Sequence, residues 1–142
     1  MLSIGFDIGS SSVKASIVDT STGKTIVQGQ YPEQEMSMTA KNAGWAEQDP
    51  EIWWDAVCRL GKKLLHKSSL KPGDIQSVGI AYQMHGLVVV DKNKEVLRDS
   101  IIWCDSRAIE IGDQALRDMG ANYCNSCLLN SPGNFTASKL KW

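Results

Sequence analysis

Residues 2–14 read LSIGFDIGSSSVK, and the reading of this stretch decides the fold. Leu2 to Phe6 is a short apolar run that brings one carboxylate, Asp7, to the edge of a Gly and Ser turn, and a second strand-like run, Val13 to Asp19, leaves that turn. Gly9 lets the backbone approach an anion closely. Successive N–H groups of Gly9 to Ser12 can converge on its oxygens, and the hydroxyls of Ser10, Ser11 and Ser12 add donors. Asp7 would repel a phosphate directly, but it can hold a Mg²⁺ ion with its water shell against phosphates. The same residues also fit a plain hairpin with a Gly-rich turn and a capping Asp.

Working outward, Thr20 to Lys24 supplies turn chemistry and Thr25 to Tyr31 reads as a third strand, which gives an antiparallel meander. Pro32 to Gly44 has no clear period and reads as a long irregular loop. Trp45 to Glu51 is read as the opening of a helix, with Asp49 as its N-cap, Pro50 at the first helical position and Glu51 at the positive end of the dipole. Trp53, Val57, Leu60 and Leu64 then recur at helical spacing, with Ala56 and Leu65 widening the stripe. Lys62, Lys63, His66 and Lys67 read as a solvated helix end where cations suit the dipole. Ile75 to Tyr82 is expected to be a buried strand, Leu87 to Asp91 a further strand and Ser100 to Trp103 a short one. Asp105-Ser106-Arg107 leads a helix whose buried face is expected to carry Ile109, Leu116 and Met119 and which ends at Gly120. Ala121 to Asn134 reads as irregular. Thr136 to Trp142 reads as the start of a helix cut short, so the chain is expected to be the beginning of a longer one.

At 142 residues the chain has the length of one domain and can bury a core without staples. Its net charge of −1 gives no field that would attract nucleic acid or an anionic membrane surface. No apolar stretch approaches the length of about 20 residues needed to span a bilayer, and the N-terminus lacks a basic flank followed by a long apolar core. A cytoplasmic location is therefore expected, with no nucleic acid or membrane partner. Of Cys58, Cys104, Cys124 and Cys127, only the last two form a C-x-x-C pair, and His66 and His85 lie at no matching spacing for zinc. Free thiols fit better than a metal or redox site.

Further motifs follow the first in order: GWAEQDPEIWW at 44–54, GIAYQMHGLVVVD at 79–91, IIWCDSRA at 101–108 and SPGNFTASKLKW at 131–142. Together with FDIGSSSVK at 6–14 they resemble the N-terminal part of the FGGY carbohydrate kinases, the branch acting on xylulose most of all. The resemblance implies a ribonuclease H-like α/β domain of the actin and hexokinase superfamily: a mixed five-stranded sheet, partly an antiparallel meander, flanked by helices, forming residues 1–142 of an incomplete first lobe. It also implies an ATP-dependent kinase that transfers the γ-phosphate to the 5-hydroxyl of D-xylulose.

On that resemblance Asp7, Gly9, Ser10 and Ser11 form the first phosphate loop for ATP and Mg²⁺, with Asp7 reaching the metal through water. Met84 and His85 match the sugar-binding Met-His pair, and His85 can donate to or accept from a hydroxyl without burying a charge. A structural histidine is the alternative reading. Trp103 and Asp105 are expected to line or support the sugar site, with Asp105 accepting from sugar hydroxyls or from Arg107, or else simply capping the next helix. Trp45, Glu47 and Gln48 are expected to serve packing and helix capping.

Two departures qualify the resemblance. Glycerol kinases carry Arg then Glu where this chain has Met84-His85, which favours a ketopentose. The family's catalytic Asp and its adenosine-gripping domain match nothing here, so the chain alone is expected to be inactive. Ribulose or gluconate as substrate, a non-catalytic actin-like binding module, and self-association into a homodimer stay open.

Overall fold

The computed structural model describes residues 1–142, and the chain forms two compact units: Met1–Ser37 with Glu51–Gln83, and Met38–Pro50 with Met84–Trp142. The first unit is built on a four-stranded sheet in the order β3-β2-β1-β5, from β1 (Leu2–Ile8), β2 (Val13–Asp19), β3 (Lys24–Tyr31) and β5 (Ile75–Tyr82). β1 to β3 form the expected meander. β5 lies parallel to β1, with Gly5 opposite Gly79 and Phe6 opposite Ile80. The sheet thus has four strands where the resemblance implies five.

Alternation along β1 and β2 explains which side is dry. Ile4, Val13, Ala15 and Ile17 point to one face, where they meet Ala56, Leu60 and Leu64 of α1 (Glu51–Lys67), and Phe6 and Val57 flank this core. Gly29 of β3 lets α1 come close, since a Cβ there would sit 3.3 Å from the Leu64 Cδ2. The other face carries Gly5, Asp7, Lys14, Ser16, Gln28 and Gln30 around an open depression of about 650 Å³. The turn after β2 is fixed by Asp19, whose carboxylate accepts from the backbone N–H and hydroxyl of Ser21 and from the Thr22 hydroxyl, with Gly23 at φ 71°.

β5 corrects the sequence reading. It is not buried: Val78, Ile80 and Tyr82 are 61%, 64% and 72% exposed. They share the sheet face of Ile4, Phe6 and Ile8, but β5 is an edge strand, and while its first residue Ile75 packs against the core, α1 lies on β1 to β3 and leaves these three uncovered.

The second unit is held by loops more than by regular elements. β4 (Glu47–Gln48) pairs antiparallel with β6 (Ser100–Ile101), so Glu47 and Gln48 lie in a strand and not in the helix opening expected for them. Leu87 to Asp91 forms single bridges, Leu87 to Ile101 and Val90 to Val96, in place of the expected strand. α2 (Ile109–Met119) ends at Gly120, φ 84°, whose N–H donates to the Leu116 carbonyl. Its expected buried face is also corrected. Ile109 and Met119 are over 40% exposed, and the buried residue is Gly112, set against the Pro132–Asn134 turn. A final short helix, Thr136–Lys141, follows that turn.

Candidate functional site

In the first unit, β1 ends at Ile8 and the Gly9–Ser12 turn follows. The Gly9 N–H donates to the Ser12 carbonyl at 3.2 Å, so this donor closes the turn and does not join an anion-binding set. A Cβ at Gly9 would meet the same oxygen at 3.0 Å, which is why the tight turn takes glycine. The Ser11 carbonyl accepts from the Met36 N–H at 2.8 Å and the Ile8 carbonyl from the Gln83 N–H at 3.1 Å, which pin the turn from both sides. Ser10 is half-buried and Ser11 exposed.

Asp7 stands opposite Lys14 in register, and its carboxylate lies 3.9 Å from the ammonium with both side chains well exposed. A single exposed carboxylate beside a rigid turn fits a Mg²⁺ ion held through water. It does not fit a closed cage of protein ligands, and no group of three His, Cys, Asp or Glu side chains converges anywhere in the chain.

In the second unit, Met84 and His85 sit on the loop after β5. Met84 is 66% exposed. His85 is half-buried, has φ 67°, and stacks its ring on Phe135 at 4.9 Å between centroids and 12° between planes. The loop's carbonyls are tied to the segment from Asn134 to Lys139: the Lys139 ammonium donates to the His85 carbonyl at 2.8 Å and the Thr136 hydroxyl to the Gly86 carbonyl at 3.0 Å. Trp103 is half-exposed, and its carbonyl accepts from the Asn134 side-chain amide.

Asp105 occupies a different environment from these three. Its side chain is fully buried, and its oxygens accept from the Ala46 N–H at 2.6 Å, from the Arg107 N–H at 2.9 Å and from the Arg107 guanidinium. Of the two acceptor roles expected for it, the structure gives the one toward Arg107. Nor does it cap α2, whose N-cap is Ala108. Arg107 also donates to Glu47 at 2.7 Å and lies 3.8 Å from the Trp45 ring centroid, while Arg98 and Lys41 pair with Glu47 from outside. Burial alone would raise the carboxyl pKa values of Asp105 and Glu47. The donors around them, Arg107 first, bring both below the ordinary carboxylate range.

Each feature, the glycine turn with one exposed carboxylate in the first unit and the tethered Met-His loop in the second, can be set against known proteins. The N-terminal domain model of the FGGY family of carbohydrate kinases matches residues 2–142. The chain belongs to the FGGY family. Xylulose kinase from Klebsiella pneumoniae is 37% identical over 140 residues, covering 98% of this chain and 27% of that protein. Glycerol kinase from Thermococcus gammatolerans is 31% identical over 139 residues, with the same coverage of 98% and 27%. Among solved structures, a "xyloylose kinase" from Brucella ovis superposes with a TM-score of 0.85 at 29% identity, over 100% of this chain and 29% of that one. The chain thus spans about a quarter of the length of the curated relatives it matches. The α/β architecture is that of the actin and hexokinase-like sugar kinases.

Within this FGGY domain, sequence reasoning missed the roles of Asn134 and Lys139 and the contact of Arg107 with Glu47. Arg107 was named only as a possible partner of Asp105, and spacing alone marks neither Arg107 nor Lys139 as buried. The one available signal was that each falls inside a motif block, IIWCDSRA or SPGNFTASKLKW.

Proposed function

We propose that this chain contributes the first phosphate turn and the sugar-contacting loop of an ATP-dependent kinase that moves the γ-phosphate of ATP onto the 5-hydroxyl of D-xylulose. The observation that carries the reading is the Met84-His85 loop. An imidazole packed on Phe135 by one face and still partly open to solvent is pre-set to exchange hydrogen bonds with hydroxyls. Met84 and the half-exposed indole of Trp103 offer apolar surface to the C–H side of a sugar. Asp105, bonded to Arg107 and the Ala46 N–H, stabilises the buried cluster and does not itself offer an acceptor to the sugar in this reading.

The turn of Gly9, Ser10 and Ser11 would face the ATP phosphates, with Gly9 shaping it, and Asp7 would hold Mg²⁺ through water. The ion supplies charge neutralisation at the phosphates. In this reading the carboxylate that takes the proton of the attacking hydroxyl belongs to sequence beyond residue 142, so the chain alone is expected to show no turnover.

Isothermal calorimetry of the chain with D-xylulose, with His85→Ala as control, tests the sugar assignment. Saturable binding that is weakened in the variant supports it. Preferential binding of glycerol, ribulose or gluconate moves the substrate elsewhere in the family, and ATP-dependent phosphorylation of D-xylulose by the chain alone overturns the assignment of the base.

A further inference from the structure

Lys139 is 1% exposed, although lysine is among the residues least often buried. Its ammonium donates to the His85 carbonyl at 2.8 Å, to the Asn134 carbonyl at 3.0 Å and to the Asn134 Oδ1 at 2.7 Å, which uses the full donor capacity of the group. The Asn134 side chain in turn donates to the Trp103 carbonyl. Loops 54 and 31 residues distant from these partners in sequence are thereby tied to one ammonium.

The tie falls where the backbone needs it. His85 has φ 67°, in the left-handed region that non-glycine residues seldom adopt and that surrounding contacts must hold in place. The contacts present are the Lys139 bond to its own carbonyl, the Thr136 bond to the next carbonyl, and the Phe135 ring under its side chain. All come from residues 135–139. Burial lowers the Lys139 pKa, as it does for an ammonium removed from water.

We propose that Lys139, together with Asn134, is a positioning residue for sugar binding: it fixes the left-handed turn at His85 and couples it to the Trp103 loop, without touching the sugar itself. This rests on the sugar reading given above. A buried lysine serving stability alone would have no reason to converge on the carbonyl of the one strained residue in the candidate site.

The test compares D-xylulose affinity, by calorimetry on the 142-residue chain, for the native sequence, Lys139→Met, His85→Ala and the double variant, with circular dichroism confirming folding. Loss of charge-assisted bonds predicts a fall in affinity of about tenfold or more for Lys139→Met. If Lys139 acts through His85, Lys139→Met lowers affinity no further in the His85→Ala background. If Lys139→Met does not fold, Asn134→Ala takes its place with the same expectation.

Unchanged affinity in the single variant, or full additivity in the double one, overturns the proposal. If the native chain shows no D-xylulose binding, the sugar reading fails by itself. The backbone amide resonances of His85, Gly86 and Trp103 then decide only whether Lys139 holds the two loops: displacement at all three in Lys139→Met upholds that tie, and unchanged shifts overturn it.

Discussion

Arg107 and Asp105 form a fully buried ion pair between residues two apart in sequence, with the Nη2 donating to Oδ2 across 2.6 Å and side-chain exposures of 1% and 0%. The guanidinium also reaches Glu47 at 2.7 Å, so one cation serves two buried carboxylates. It lies over the Trp45 ring and near that of Trp142, which excludes water from the pair. Removing the cation strands both charges. Arg107→Met is therefore expected to destabilise the fold by about 3–5 kcal/mol, read as a drop in the urea midpoint, and a loss under about 1 kcal/mol would show the pair to be dispensable.

The same cluster sets the response to acid. Burial pushes Asp105 and Glu47 up, and the bonds from Arg107 with the other donors bring both net below their ordinary values of 3.8 and 4.5. A carboxyl with a depressed folded pKa contributes stability that is complete above its unfolded pKa and is lost as pH falls through the folded one. Asp19, held far below the usual range by Ser21, the N-terminal amino group and Thr22, adds to the same limb. Stability is expected to hold between about pH 7 and pH 5 and to decline below about pH 4. In Asp105→Asn that limb should be shallower, which urea titrations at stepped pH would register.

Gly112 and Gly133 make a backbone-to-backbone contact between α2 and the turn after Ser131. A Cβ on Gly112 would fall inside 3.0 Å of the Gly133 Cα and N, and backbone cannot swing aside as a side chain can. Gly112→Ala should cost about 1–3 kcal/mol through overpacking. Gly5→Ala, where nothing lies within 4 Å, is the matched control and should change stability little. Equal melting temperatures for the two variants would refute the close-packing account.

How much of this was legible follows from what each signal reports. The apolar run Leu2 to Phe6 and the alternation over Val13–Asp19 located the first strands of the meander correctly, and the fold turns Ile4, Val13 and Ile17 into the core. Ile75–Tyr82 was read as a buried strand, but a local pattern cannot tell how far the covering helix reaches over an edge strand, and here most of the strand stays exposed. The Asp49-Pro50-Glu51 signal rightly announced a helix at Glu51 and absorbed Glu47 and Gln48, which pair with Ser100 and Ile101 instead. Such pairing across some 50 positions leaves no local trace. Nor does local patterning reveal that α2 packs through Gly112, or that Lys139 turns inward. Asp7 was proposed from the chemistry of its turn and Met84, His85 and Trp103 from their motif blocks, whereas the contacts of His85 and Trp103 with Phe135, Asn134 and Lys139 emerged only from the fold.

Asp7 offers the sharpest separation of function from stability. Its side chain is 59% exposed, its ion pair with Lys14 is long at 3.9 Å, and it lies on the sheet face away from α1. Pairs of this kind contribute about 0–1 kcal/mol. Asp7→Asn should therefore melt within a degree or two of the native chain, roughly the shift a few tenths of a kcal/mol produces. If the carboxylate holds a divalent ion beside nucleotide phosphates, the substitution should nonetheless abolish ion capture at the turn. Mn²⁺ added with ATP reports this directly, because a paramagnetic ion broadens amide resonances near its site even when binding is weak. The expected pattern is broadening over Asp7 to Ser12 in the native chain that disappears in Asp7→Asn. Persistent broadening in the variant, or none at the turn in the native chain, would remove Asp7 from the metal site, and the Gly9–Ser12 turn would then stand as the closely packed hairpin that its Gly9 to Ser12 bond already makes it.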